Sequence, residues 1–183
     1  MGLRHPRDIF HNQQRLSDIL DAHRKFVRGE SGGVPANLVG ADLFRVDLRA
    51  ANLTHAMLVG SRLEDADMRG ARLVGTDLSQ CNLQKAILSN CDMTETVLRQ
   101  ADLTGADLSG AELFRADLSQ AVLHRCQFRG ANLRQAVVLG ADFAGSDLNI
   151  ALLIEVDFAG AKLDGADVAT AVFRDNDPRS GKR

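Results

Sequence analysis

The chain has 183 residues, with 24 acidic and 22 basic side chains and a formal charge of −2. Hydrophobic residues make up 45% of the chain, which is enough for a buried core and excludes wholesale disorder. No apolar run approaches the ~18 residues of a membrane span, and a charge so near zero offers no basic surface for direct nucleic-acid binding. Leu, Ala and Asp number 25, 24 and 19, and a composition this skewed indicates a repeat.

Residues 1–35 form a leader outside the repeat. Its apolar residues fall near helical spacing, Asp8 or Ser17 is a candidate N-cap, and Gly29 is a candidate helix stop. We therefore predict a capping helix over about residues 9–28 whose apolar face covers the start of the repeat. The leader has no continuous apolar segment of the kind found in secretory signals, and three Cys is an odd number. Both features favour a cytoplasmic protein with free thiols.

From residue 36 to residue 175 the chain divides into 28 consecutive pentapeptides without an insertion. The third residue of each unit, named the centre here, is Leu in 20 units. The first residue is Ala in 19 units, the second is Asp or Asn in 16, and the fifth is Gly in 11. The period is therefore five, with Ala and Leu two positions apart.

A period of five suits neither regular structure as a continuous element. Five steps on an α-helix rotate about 140°, so the Leu residues would wind around every face. In one long strand an odd step reverses the face each time. A short extended stretch can point Ala and Leu the same way if the chain then turns, and Gly at the fifth position fits a turn with positive φ. The pattern predicts a coil with flat sides of one pentapeptide, stacked as parallel strands about 4.8 Å apart.

These units, for example residues 41–45 and 101–105, resemble the pentapeptide-repeat family, whose motif is Ala-(Asp/Asn)-Leu-X-X. The resemblance covers residues 36–175. It implies an all-β solenoid, namely a right-handed four-sided parallel β-helix of about seven coils, here with an N-terminal α-helical cap. Periodicity alone also allows a three-sided coil. The four centre Phe residues recur at every third unit and would stack in such a coil.

The centres are predicted to fill the interior, each contributing about 1.5–3 kcal/mol by leaving water. Eight of these centres are named here as predicted structural core residues: Leu43, Leu63, Leu83, Leu103, Leu123, Phe143, Phe158 and Phe173. Because the interior is narrow, the first position of each unit should accept only small groups. Cys81, Cys91 and Cys126 occupy that position without CxxC spacing, so we interpret them as small buried residues and not as zinc ligands.

The last part of the chain lacks a second helical cap and ends in a polar tail, residues 176–183. Near it, Ile150, Leu152, Ile154 and Val172 occupy positions that should face outward, and Leu152 and Val172 are four units apart. The pattern predicts an exposed apolar patch beside an open end, which is typical of an interface. Family members related to quinolone resistance pair through their C-terminal ends, so the resemblance implies a homodimer. The alternative is a monomer whose tail folds over the patch.

On one side of a four-sided coil, five carboxylates are predicted to form an acidic column: Asp47, Asp67, Asp107, Asp147 and Asp167. Some family members mimic duplex DNA and bind type II topoisomerases, so the resemblance implies that function as one candidate. The repeat has 19 acidic and 13 basic residues, a net of −6, whereas duplex DNA of ~34 Å carries about 20 charges. Its unbroken units also leave no place for the loops of topoisomerase-protecting relatives. The alternative is a solvated acidic stripe.

The sequence contains no nucleophile elbow, plausible catalytic triad, metal motif or phosphate loop, so we expect no enzymatic activity, metal or cofactor. We predict a non-catalytic scaffold that binds a protein partner of unknown identity. A DNA-mimicking modulator of gyrase is the alternative.

Overall fold

The structure, a computed structural model, describes residues 2–174. Its helices and strands are short and lie near the two ends: a 3₁₀ helix (Pro6–Asp8), β1 (Phe10–His11), β2 (Gln14–Arg15), α1 (Leu16–Val27), β3 (Leu152–Ile154) and β4 (Val172–Arg174). Strands β1 and β2 pair antiparallel as a hairpin, and β3 and β4 pair in parallel. Between α1 and β3 the chain consists of tight turns joined by single-residue parallel bridges. Within residues 2–174, no helix has the length and apolarity needed to cross a bilayer.

The bridges of the repeat join residues that are four units apart in the chain, such as Asp47 with Asp67 and Asn82 with Asp102. Four pentapeptides therefore separate each residue from its neighbour in the ladder, which favours four sides over three. Side one holds residues 36–40 and every fourth unit after them, while sides two, three and four begin at positions 41, 46 and 51.

The same backbone hydrogen bonds recur from unit to unit along most of the repeat. The centre N–H of Leu83 donates to the carbonyl of Asp102 in the following coil at 2.7 Å, and the Asp102 N–H returns to the Cys81 carbonyl at 2.9 Å. The fifth residue, Lys85, donates to the Thr104 carbonyl at 3.0 Å. This ladder satisfies the backbone groups that the coil removes from water.

The fifth position is a left-handed turn. Its φ is positive at every fifth residue from 40 to 165, a conformation that costs most L-residues about 1–2 kcal/mol and glycine very little. The requirement explains why Gly is frequent there. The most strained occupant is Ile150, a β-branched residue with φ of 55°.

The centres and first positions together form one continuous hydrophobic core. Six of the eight predicted core residues are fully buried: Leu43, Leu63, Leu83, Leu103, Leu123 and Phe143. Phe158 and Phe173 also belong to the core, but they are only partly buried and not fully buried as predicted. They lie in the last described coil, where no further coil follows within residues 2–174 to cover them.

The four centre Phe residues form a continuous series of ring contacts. Ring centroids are 5.7 Å apart for Phe128 and Phe143, 6.4 Å for Phe143 and Phe158, and 6.1 Å for Phe158 and Phe173. A step of three units in a coil of four moves one coil forward and one side back, so the rings meet across inner corners. The spacing of the Phe residues therefore arises without a three-sided coil.

The helix of the leader is shorter than predicted, because α1 covers residues 16–27 and not 9–28. Asn12 and Gln13 have φ of 48° and 66°, which turns residues 10–15 into the β1–β2 hairpin and prevents an earlier start. Neither Asp8 nor Ser17 is the N-cap: that position belongs to Arg15, whose side chain makes no capping bond.

The apolar face of α1 contacts the start of the repeat. Leu16 is fully buried, and Ile19 and Leu20 pack against the shared core. After the helix, Gly29 takes φ of 67°. The apolar side chains of the helix thus join the core of the repeat.

Candidate interaction surfaces

Polar residues at the small inward position share one hydrogen-bond role. Each Ser, Thr or Cys there donates to the carbonyl of a centre in the preceding coil, as Thr76 Oγ1 does to Leu53 at 2.7 Å and Cys81 Sγ to Leu58 at 2.9 Å. These side chains fit because a carbonyl that already accepts the turn N–H has a second lone pair available. They are structural groups of the coil wall.

The three cysteines are free, buried and far from nucleophilic character. Burial raises the pKa of the Cys81 and Cys126 thiols to about 12 and that of Cys91 to about 11. Within residues 2–174, no three His, Cys, Asp or Glu side chains converge on a point that could hold a metal ion.

We expect the folded protein to resist thiol reagents at pH 8. With pKa values this high, roughly one thiol in a thousand or fewer is ionised, and burial blocks access as well. An Ellman assay should show no rapid reaction in buffer and three reactive thiols in denaturant. A rapid burst from the native protein would contradict the inward placement of the cysteines.

The five aspartates of the predicted acidic column lie on side three. The ladder joins Asp47 to Asp67 and Asp147 to Asp167, with Ile87 and Gln127 as the intervening rungs around Asp107. The structure thus brings these carboxylates into the single file that a coil of four units requires.

Arginine neutralises the first two members of the column. Arg49 Nη2 lies 2.6 Å from Asp47 Oδ2, and Arg69 makes the equivalent ion pair with Asp67, which is only 2% exposed. These arginine hydrogen bonds lower the pKa of both carboxyl groups. Within the described residues, Asp107, Asp147 and Asp167 have no such ion pair, so the acidic character concentrates toward the C-terminal half.

The second position carries Asp or Asn because its side chain closes the turn. In all sixteen units, the side-chain Oδ1 accepts the backbone N–H two residues later. Residue-by-residue reasoning missed this role. The available signal was that Asn replaces Asp in four units whereas Glu occurs in one, since Asp and Asn place an oxygen at the same distance from the backbone.

Two substitutions separate the structural role of Asp107 from its charge. Asp107→Asn should leave the free energy of unfolding nearly unchanged because the Oδ1 acceptor for the Ser109 N–H is kept. Asp107→Ala should lower it by about 0.5–1.5 kcal/mol. Urea unfolding followed by far-UV circular dichroism measures both. Equal losses for the two variants would show that charge, and not the turn, makes this residue necessary.

The predicted C-terminal patch is partly exposed. Ile150 and Val172 are 49% and 44% exposed, whereas Leu152 and Ile154 are half-buried because β3 pairs with β4. Leu152 bridges Val172, as their separation of four units required. The open end itself adds partly buried centres: Phe158, Leu163, Val168 and Phe173.

Side one carries an apolar surface that sequence reasoning missed. Val137 and Leu139 are 48% and 62% exposed, and they border a cavity of about 330 Å³ shared with Glu155, Asp157 and Ala159. Reading the second and fourth residues of each unit along one side would have revealed this surface.

A second cavity, of about 530 Å³, lies at the other end of the molecule. It is bounded by the β1–β2 hairpin, by α1 and by the segment that enters the first coil. Phe10 and Val34 are more than half exposed on its walls.

Comparison with known proteins places this architecture in a family. The sequence profile described as pentapeptide repeats matches in eight copies, within residues 36–75, 47–84, 71–110 and 111–149. HetL, a pentapeptide repeat protein involved in heterocyst differentiation regulation from the cyanobacterium Nostoc, is 35% identical, with 78% of this chain and 70% of HetL covered and a TM-score of 0.43.

Two further solved structures are similar. A pentapeptide repeat protein from the Arabidopsis thaliana thylakoid lumen is 33% identical, over 58% of this chain and 71% of that one, with a TM-score of 0.43. QnrB1, a plasmid-mediated fluoroquinolone resistance protein, is 20% identical over 78% and 85%, with a TM-score of 0.39. The comparison with curated proteins finds no match. The matched profile spans most of the chain, so this protein belongs to the pentapeptide-repeat family and its parallel ladder is that of a right-handed β-helix.

Proposed function

We propose that this protein is a non-catalytic scaffold that recognises other proteins, built as a β-helix of seven coils with its leader helix as a cap. The open C-terminal end supports the proposal most directly. Phe158 and Phe173 are incompletely covered there, and Ile150 and Val172 are exposed beside them. An apolar end of a solenoid requires a cover, since exposed apolar patches promote association. HetL, which takes part in regulation, offers a precedent for a regulatory binding role.

The cover that we propose is a second copy of the chain. Two identical open ends can meet about a two-fold axis, so each apolar surface is buried by its equivalent. The carboxylates Asp147 and Asp167 lie near this end on side three, where they would form part of the polar rim.

Sedimentation velocity at micromolar concentrations tests the homodimer. The wild-type chain should sediment as a dimer, and Val172→Arg should weaken dimerisation by about tenfold or more, because it places a charge in the apolar contact. Met57→Arg is the matched control, since Met57 has similar exposure but lies in the second coil, away from the open end. A monomeric mass for the wild-type chain would overturn the dimer.

A second candidate, a DNA-mimicking modulator of gyrase, is favoured by the carboxylate column alone. The ion pairs of Asp47 with Arg49 and of Asp67 with Arg69 weaken the negative electrostatic potential that DNA mimicry requires. A gyrase supercoiling assay with and without a quinolone tests this function. Neither inhibition nor protection at tens of micromolar protein would eliminate it.

A further inference from the structure

We propose that the N-terminal end of the coil binds one extended, uncharged peptide segment of a partner protein, which adds to side one as a parallel strand. This inference deepens the proposed interaction role and rests on it, but it uses the end opposite to the dimer surface. It begins from the backbone groups that the first coil leaves unpaired.

The second coil shows where those groups point. On side one, the Met57 N–H donates to the Ala36 carbonyl at 3.0 Å, and the Met57 carbonyl accepts the Leu38 N–H at 2.7 Å. The Val59 carbonyl accepts the Gly40 N–H at 2.9 Å. Three backbone groups of each unit therefore face the coil before it: the second N–H, the second carbonyl and the fourth carbonyl.

In the first coil the equivalent groups on side one are the Asn37 N–H, the Asn37 carbonyl and the Val39 carbonyl. None of the three has a hydrogen-bond partner within residues 2–174, and both residues are exposed. This edge has the donor and acceptor spacing of the ladder, so it matches an extended backbone running parallel to it.

The leader pairs with part of the edges of sides two and three. Arg4 Nη1 donates to the Phe44 carbonyl at 3.2 Å and to the Asp42 carbonyl at 3.5 Å. The Arg4 N–H donates to the Arg45 carbonyl at 2.7 Å, and its carbonyl accepts the Asp47 N–H at 2.9 Å. One residue thus already acts as a short parallel strand on this end.

Helix α1 lies over side four, where Asn52 and Thr54 are half-buried and the Thr54 backbone neighbours His23. His23 is fully buried, and its Nδ1 accepts the N–H of Ala36, at the start of side one, at 3.0 Å. Burial lowers the pKa of His23, and the neighbouring His55 lowers it further, while the backbone of Thr54 acts in the opposite direction. A neutral imidazole can accept this hydrogen bond, so the bond ties the helix to the start of the first coil at physiological pH.

Side one opens instead onto the cavity of about 530 Å³, whose wall includes Asn37. Its other uncharged walls combine the polar Gln13 and Gln14 with apolar side chains: Phe10, Ile19, Ala22, Val34 and Pro35. Among the described residues, its charged lining is one base and one acid, Arg15 and Asp18, and Arg15 lies over the Phe10 ring at 5.4 Å. A volume of this size is typical of ligand and peptide sites.

These contacts determine the kind of occupant. A second copy of the chain would need all four edges free to stack a whole coil, and the leader occupies part of this end, with Arg4 on sides two and three and α1 over side four. A single extended segment needs one edge and one groove. The existing bridge of Arg4 to Val46 is parallel, which sets the direction of the added strand. The mainly uncharged walls favour uncharged side chains.

The probe is a fluorescein-labelled peptide that copies the uncharged residues 56–61, from the side-one segment that already pairs with the opposite edge of Asn37. Fluorescence anisotropy with the full chain should show saturable binding. The control peptide carries N-methyl groups at the nitrogens of its Leu and Gly, which correspond to residues 58 and 60 and would donate to the Asn37 and Val39 carbonyls. It should bind about tenfold more weakly or worse, because it loses two hydrogen bonds.

Protein variants locate the site. Val34→Glu in the groove should weaken peptide binding, whereas Val137→Glu, of similar exposure on the far coils, should not. Hydrogen exchange should slow at the Asn37 amide when the peptide is present. Val172→Arg should bind the peptide normally, so failure of the dimer and failure of this site are distinguishable. Absence of saturable binding to 1–2 mM (on the order of the weakest useful affinity), equal binding of the methylated peptide, or protection only at the C-terminal end would overturn the proposal.

Discussion

Replacing Ala106 by Arg should unfold the coil or lower its free energy of unfolding by about 3–5 kcal/mol or more. Ala106 is fully buried at the first position of a side-three unit, between the equivalent residues Ala86 and Cys126 of the neighbouring coils. The interior has no space for a longer side chain, and a guanidinium placed there would be an unpaired charge in a closely packed core. Overpacking and desolvation thus act in the same direction.

The matched control is Ser109→Arg, three positions later on the same unit. Ser109 faces outward, so its replacement should change the free energy of unfolding by no more than about 0.5 kcal/mol. Urea unfolding followed by far-UV circular dichroism suits a chain without Trp or Tyr. Equal midpoints for the two variants would show that the inward and outward positions have been assigned to the wrong residues.

The second large effect is expected for Phe143→Ala, at about 3–5 kcal/mol. Phe143 is fully buried, and its ring contacts Phe128 on one side and Phe158 on the other. The truncation removes both ring contacts and leaves a cavity that the rigid ladder cannot close, because the coil spacing is fixed by backbone hydrogen bonds. Leu103→Ala, which removes fewer atoms, should cost about 2–5 kcal/mol.

Phe114→Ala provides the comparison for an outward aromatic residue. The Phe114 ring lies beside the Arg115 guanidinium at 4.9 Å on the surface, so its loss should cost no more than about 1 kcal/mol. The same denaturation experiment measures both variants. A Phe143→Ala variant as stable as Phe114→Ala would mean that the ring series contributes little beyond filling space.

The repeat could be derived from sequence because every unit imposes the same physical condition. In every unit the centre, such as Leu103, and the first residue, such as Ala106, must face inward. Assigning the inward positions of one unit therefore assigned those of all the others. The number of sides did not follow from the residues alone. The spacing of Phe128 and Phe143 allowed ring contact in either arrangement, and only the bridges distinguished them.

The leader was predicted less well because it occurs once. Asn12 and Gln13 adopt left-handed conformations that neither residue requires, and packing of the flanking segment decides them. The cavity at the N-terminal end was equally hidden from sequence reasoning, since Phe10, Ala22 and Val34 belong to a hairpin, a helix and a loop. Outward positions within the repeat were easier, because the periodicity placed Val172 beside Leu152 directly.

The four-unit spacing of the ladder also governs how the molecule can change length during evolution or design. Gain or loss of four pentapeptides would lengthen or shorten the rod while leaving the angular relation of its two ends unchanged. Gain or loss of a single pentapeptide would preserve every local hydrogen bond yet rotate the distal surface by a quarter turn relative to the leader. The number of units left over after division by four therefore sets the relative orientation of the partners bound at the two ends.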